Sequence, residues 1–152
     1  WTAFQAFNRG AFLLYGGQES AAVTTPSLFD VDKVEWGNYE LSGFLTTLAK
    51  LKKHPAQMRG KFIITNDQPA ITALWIYPGA NLVGVFNVSN NQGQISLPIP
   101  DGKYIDLLSK ETVSVHGGML DLPKSAWILQ ADETLPVPEP LYSPLLDYHP
   151  RG

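Results

Sequence analysis

The chain has no cysteine. That excludes disulfides and every thiolate metal site, and it leaves the compartment open. It also lacks a basic run: 11 Lys and Arg stand against 14 Asp and Glu, for a net charge of -3. The electrostatic footprint for nucleic acid or an anionic membrane is therefore missing, and neither is expected as a partner. Long hydrophobic runs are absent as well, since the apolar stretch from Ala11 to Tyr15 is much too short to span a bilayer. The sequence opens at Trp1 without a Met or a charged n-region. Such an opening fits an excised or proteolytic piece, and it leaves localisation open. There is no Gly-x-Ser-x-Gly elbow, no phosphate-cradling Gly-rich loop with Lys, and no His-Glu-x-x-His. His54, His116 and His149 have no second ligand at i+3 or i+4, so no metal or other cofactor is expected. What remains is 152 residues, 44% hydrophobic and 16% charged. That describes a folded chain with room for one ordinary core plus a fragment.

Two compositions share this chain. From Tyr39 to Lys53, the residues Leu41, Phe44, Leu45, Leu48 and Leu51 recur at spacings of three and four, one face of a helix. Asn38 is the expected N-cap, Glu40 suits the positive end of the dipole, Lys50, Lys52 and Lys53 suit the negative end, and Pro55 closes the helix. Upstream, Ala11 to Tyr15 is continuously apolar between Gly10 and Gly16-Gly17, as a buried parallel strand would be. Trp1, Phe4 and Phe7 have the spacing of an earlier helix end.

After Arg59-Gly60 the period changes to short strands. The candidates are 61–65, 71–77, 82–88, 94–97, 103–108, 112–115, 119–122 and 126–130, punctuated by Pro78-Gly79, Asn90-Asn91, Asp101-Gly102 and Gly117-Gly118. Ile71, Ala73, Trp75 and Tyr77 alternate with Thr72, Leu74 and Ile76. Short strands at this spacing predict an antiparallel sandwich or barrel. The tail from Leu135 is proline-rich and predicted extended.

The segment Gly10-Ala-Phe-Leu-Leu-Tyr-Gly-Gly-Gln-Glu19 resembles the last barrel strand and following loop of the alpha-amylase family (glycoside hydrolase family 13). Pro26-Ser-Leu-Phe-Asp30 and Val34-Glu-Trp36 resemble the next loop. The helix ending Leu51-Lys-Lys-His-Pro55 resembles the final barrel helix. Gly60-Lys-Phe62, Val85-Phe-Asn-Val-Ser89 and Asp101-Gly-Lys-Tyr-Ile-Asp-Leu-Leu108 resemble the entry and two strands of the family's C-terminal domain. Gly10-Ala-Phe12 departs from the frequent Gly-x-Pro and leaves subfamily and substrate preference open. The resemblance runs in order from Trp1 to about Gln130. It implies a mainly β fold, an antiparallel Greek-key sandwich preceded by the last β-strand and helix of a (β/α)8 barrel. The implied division is 1–56 barrel fragment, 57–134 sandwich and 135–152 tail.

Retaining glycosidases work with two carboxylates about 5–5.5 Å apart. In this family they and an assisting Asp stand on earlier barrel strands, so the resemblance implies that all three precede Trp1 and that this piece is inactive. The intact enzyme would act on an alpha-glucan or oligosaccharide, and the partner of this piece would be the remainder of the barrel.

Gln18 and Glu19 lie at the C-terminal end of the expected strand, the face where barrels build their sites. There they support a sugar cleft from behind or, in the plainer reading, satisfy loop amides. Tyr77, beside Pro78-Gly79, is the candidate aromatic platform among Trp75, Tyr77 and Trp127, although aromatics in strands are core more often than platform. Asp30, Asp32 and Glu35 are the densest acidic cluster, read as a solvated loop because the EF-hand pattern is absent. Glu133 and Glu139 are read as surface charge. The sequon Asn87-Val-Ser89 falls in an expected strand, which disfavours modification. A free-standing starch-binding module and a purely structural or interaction domain are the other readings. An unpaired apolar strand invites pairing, so self-association through Ala11 to Tyr15, or folding of that segment onto the sandwich, is expected.

Overall fold

The structure is a computed structural model that describes residues 1–23, 27, 29 and 36–137. Asp30, Asp32, Glu35 and the tail from 138, with Glu139 and His149, lie outside the described residues.

The elements are α1 (Thr2–Phe7), a 3-10 turn (Gln18–Ser20), α2 (Ser42–Leu51), α3 (Pro55–Arg59), then β1 (Lys61–Asn66), β2 (Ile71–Ile76), β3 (Asn81–Phe86), β4 (Gln94–Ser96), β5 (Gly102–Ile105), β6 (Thr112–Val115), β7 (Met119–Asp121) and β8 (Ala126–Ala131). The fold is mainly β, and every paired ladder is antiparallel. A four-stranded sheet has the order β1-β2-β3-β8, while β4 pairs β7 and β5 pairs β6. Thus β1, β2 and β3 form a meander, and β8 returns beside β3 after the two small ribbons.

The four-stranded sheet is covered on both faces, as the alternation of its side chains records. Leu74, Val83, Val85, Leu129 and Ala131 pack with Ile95, Leu97, Val113, Val115 and Leu120 of the ribbon side. Ala73, Trp75, Leu82, Phe86 and Ile128 pack with Ala3, Ala6 and Phe7 of α1, Leu45, Leu48 and Leu51 of α2, and Ala56 of α3. β3 is therefore buried at every position. Gly84 is small for a reason visible here: a Cβ at that position would lie 2.5 Å from Phe86 Cε2 and 3.2 Å from Phe7 Cε1. Leu135, expected to open the tail, is buried in the ribbon-side core.

The expected strands all form, with ends displaced for identifiable reasons. β5 stops at Ile105 instead of 108, because Asp106 turns the chain. Its Oδ2 accepts from Ser109 N at 2.6 Å and its Oδ1 from Ile128 N at 2.8 Å, while Leu107 N donates to Ile128 O at 2.8 Å. β3 stops at Phe86, where the Asn87 amide takes over: it donates to the carbonyls of Asn91 and Pro123, each at 2.8 Å. Asn81 closes the other end of β3, with Nδ2 donating to Ala131 O at 3.0 Å and Glu133 O at 2.6 Å.

The helical part needs three corrections. α2 starts at Ser42 rather than Tyr39, with Leu41 at the N-cap and no side-chain cap, so Asn38 does not cap it. Tyr39 has φ 58°, a left-handed conformation incompatible with a helix start. Pro55 does not merely close α2. It opens α3 at the first helical position, where a missing N–H costs nothing, and His54 Nδ1 accepts from Ala56 N at 3.2 Å. Ala11 to Tyr15, expected as a buried strand, forms no ladder, and Leu13 is 82% exposed. A parallel strand is buried by neighbours on both edges, and no described element flanks this one. It does not fold onto the sandwich either, apart from Phe12, which touches the helical-side core.

Candidate functional site

The turn after Tyr15 is built by glycine. Gly17 has φ 92°, which lets the chain reverse into the 3-10 turn and brings Gln18 back to Tyr15. Gln18 Oε1 accepts from Tyr15 N, and Gln18 Nε2 donates to Thr2 Oγ1, both at 3.3 Å. Its amide is thus a brace between α1 and this turn. The backbone carbonyl of Glu19 accepts from Leu41 N at 3.0 Å and ties the turn to the start of α2. Glu19 lines an open depression of about 400 Å³ with Leu14, Tyr15, Leu45, Thr46 and Ala49. Among the described residues no second carboxylate lines that depression, and paired acid–base chemistry has no partner among them.

Tyr77 stands elsewhere, on the β2–β3 turn. It is half-buried against the helical-side core, and no hydrogen bond or ring contact among the described residues joins it to Gln18 or Glu19. Trp75 is core, 4% exposed, with Nε1 donating to Phe7 O at 2.7 Å. Trp127 is half-buried, its Nε1 reaching Asp121 O at 3.4 Å, and it lines a groove of about 530 Å³ with Phe44, Glu111 and Lys124. The candidates named from sequence therefore do not converge on one surface.

Several other groups have structural work. Lys52 Nζ donates to Asn8 O at 2.7 Å and Gly10 O at 3.1 Å, which pins the end of α2 to the connection after α1. Partial burial lowers its ammonium below the ordinary lysine range. Asp101 accepts from Gly117 N at 2.6 Å and Gly118 N at 2.8 Å. Those two amides, Gly118 first, hold its carboxyl below the ordinary aspartate value. Burial raises the Tyr104 phenol, whose hydroxyl donates to Pro100 O at 2.8 Å. Asn87 is buried with its amide engaged, so the sequon is closed to modification in this fold. Among the described residues no three His, Cys, Asp or Glu could hold a metal ion, and no helix is long and apolar enough to cross a membrane.

A further aromatic pair stands on the loop before α2. Trp36 and Tyr39 bring their rings near parallel, with centroids 6.1 Å apart and an interplanar angle of 27°. They are 56% and 49% exposed. The signal available in sequence was two large aromatics flanking Gly37-Asn38. Their pairing depends on the Tyr39 backbone angle, which the sequence does not display.

The class the fold defines is a mainly β antiparallel domain with helices on one face of its large sheet. Residues 63–129 match the family model described as bacterial alpha amylase C-terminal domain. Over that stretch the chain is similar to the C-terminal domain of bacterial alpha-amylases. No curated protein sequence matches. Among solved structures, an alpha-amylase from Lactobacillus plantarum is 19% identical with a TM-score of 0.70, over 86% of this chain and 33% of that one. A noncanonic maltogenic alpha-amylase, AmyB from Thermotoga neapolitana, is 19% identical with a TM-score of 0.74, over 88% and 36%. AmyP in complex with maltose is 20% identical with a TM-score of 0.64, over 88% and 34%. At these identities the likeness establishes a shared fold, and the chain spans about a third of each relative's length.

Proposed function

We propose that this chain is the non-catalytic C-terminal portion of an alpha-amylase-like enzyme acting on alpha-linked glucans through a retaining mechanism. Its division is 1–56 as the end of a (β/α)8 barrel, 57–134 as a Greek-key sandwich and 135–152 as a tail. In this reading Ala11 to Tyr15 is the last barrel strand, α2 the last barrel helix and α1 the end of the helix before. The sandwich then caps the barrel by packing α1 and α2 onto β2, β3 and β8.

The observation that carries the reading is the mismatch between two halves of the helical layer. Its sandwich side is closed, with Phe7 and Leu48 fully buried. On the other side Leu13, Leu14 and Tyr15 are left 82%, 43% and 58% exposed, without a strand partner. Such a surface fits burial by the rest of a barrel. A free-standing sugar module would have no use for these elements. That AmyP was crystallised with maltose supports an alpha-glucan as the ligand of the parent enzyme.

The test is hydrolysis of a nitrophenyl maltoheptaoside by the 152-residue chain. The expected result is no release above the blank, because in this reading the paired carboxylates stand on barrel strands that precede Trp1. Turnover that persists through repurification and tracks the protein would sink the proposal.

A further inference from the structure

We propose that Trp36 and Tyr39 form a stacking platform for a glucosyl ring of an alpha-glucan, with the Glu40 carboxylate beside it as acceptor for a sugar hydroxyl. The proposal rests on the reading of the parent as an alpha-glucan enzyme and adds a binding surface that this reading does not contain.

Isolated exposed aromatics are ordinary on protein surfaces. Here two of them are held near parallel, 27° apart in plane, while remaining about half exposed. Flat apolar ring faces match the C–H faces of a pyranose, whose hydroxyls project around its rim and need polar partners. Glu40 supplies one. Its carboxylate folds back toward Gly37, with oxygens 3.5 and 3.6 Å from where a Cβ on Gly37 would stand. Among the described residues no donor binds that carboxylate. Ser20, whose Cβ lies 3.6 Å from the same point, is 9% exposed and its hydroxyl has no partner.

The Tyr39 end of the pair is held in place. Leu41 N donates to Glu19 O and Ser42 N to Tyr39 O, each at 3.0 Å, so this end of the loop is tied to the 3-10 turn and to α2. Tyr39 is held at φ 58°, a region that a bulky side chain enters only where surroundings enforce it. A ring held in this way loses little freedom when a ligand settles on it. The platform also stands next to Glu19, on the turn that follows Ala11 to Tyr15, which the proposed reading takes as the end of a barrel strand, the end at which barrels bind their ligands.

The experiment titrates maltoheptaose into the 152-residue chain by calorimetry, alongside Trp36→Ala, Tyr39→Gly and Trp127→Phe, with circular dichroism to verify folding. Tyr39→Gly removes the ring while relieving the left-handed backbone, so the loop keeps its path. The expected result is binding by the wild type, weakened about tenfold or more by Trp36→Ala and by Tyr39→Gly and unchanged by Trp127→Phe. If both loop variants bind like the wild type, or if the wild type does not bind at millimolar maltoheptaose, the platform is overturned. Loss confined to Trp127→Phe also overturns it, by moving the sugar to another surface while leaving the alpha-glucan reading intact. A preference for cellohexaose over maltoheptaose would bring down the reading of the parent as well.

Discussion

Trp75 shows how one side chain joins the two parts of this molecule. The last carbonyls of a helix have no partner inside it. The Phe7 carbonyl at the end of α1 is one of these, and the Trp75 indole donates to it at 2.7 Å from inside the core. Trp75→Phe keeps most of the packing and leaves that carbonyl buried without its donor. The expected loss is about 1–3 kcal/mol, read from urea unfolding. A variant as stable as the wild type would mean that water reaches the carbonyl and the indole is only filler. Asp101 acts on the other side of the sheet, where its carboxylate binds the amides of Gly117 and Gly118, both in left-handed conformations. Its folded value lies below its unfolded one, so its contribution is present above the unfolded value of about 3.9 and disappears as the pH falls through the folded one. Asp101→Ala should therefore melt below the wild type at neutral pH, with the gap closing below about pH 4. A gap that stays constant through the acid range would show that the charge does not hold this turn.

At the scale of elements, what the sequence made legible depended on local chemistry. The strands were readable because alternation and turn residues are local signals: Pro78-Gly79 separates β2 from β3, and Gly117-Gly118 separates β6 from β7. Their ends were less readable, because Asp106 and Asn87 look like ordinary strand-end polar residues until their amide partners, Ile128 N and the Pro123 carbonyl, come close in space. The start of α2 was misplaced for the same kind of reason. Asn38 is a good cap by composition, but the left-handed Tyr39 ends any helix that would begin there. Ala11 to Tyr15 carries a buried strand's composition without a buried strand's neighbours, and composition alone does not say whether the neighbours are present. Gln18 and Glu19 stand on the 3-10 turn after that segment. Trp36 and Tyr39 went unnoticed as a pair, since exposure and ring orientation are tertiary properties.

For the molecule as a whole, the described residues form a closed β domain with a helical layer that is apolar and open on its outer side. Both faces of the β1-β2-β3-β8 sheet are closed, one by ribbons and the other by helices. The helical layer is closed only toward the sheet. Beyond it lie Leu13, Leu14 and Tyr15, apolar and exposed, with no strand partner among the described residues, so that another copy of the segment is an available partner. The measurement that tests this most directly is amide hydrogen exchange of the 152-residue chain at low and high protein concentration, with sedimentation run in parallel. The account predicts strong protection in β2, β3 and β8 at every concentration. Ala11 to Tyr15 should exchange nearly as an unfolded chain when dilute and gain protection as the chain self-associates. Protection of Ala11 to Tyr15 equal to that of β3 in a dilute monomer would contradict it, because the segment would then already have its partners within this chain.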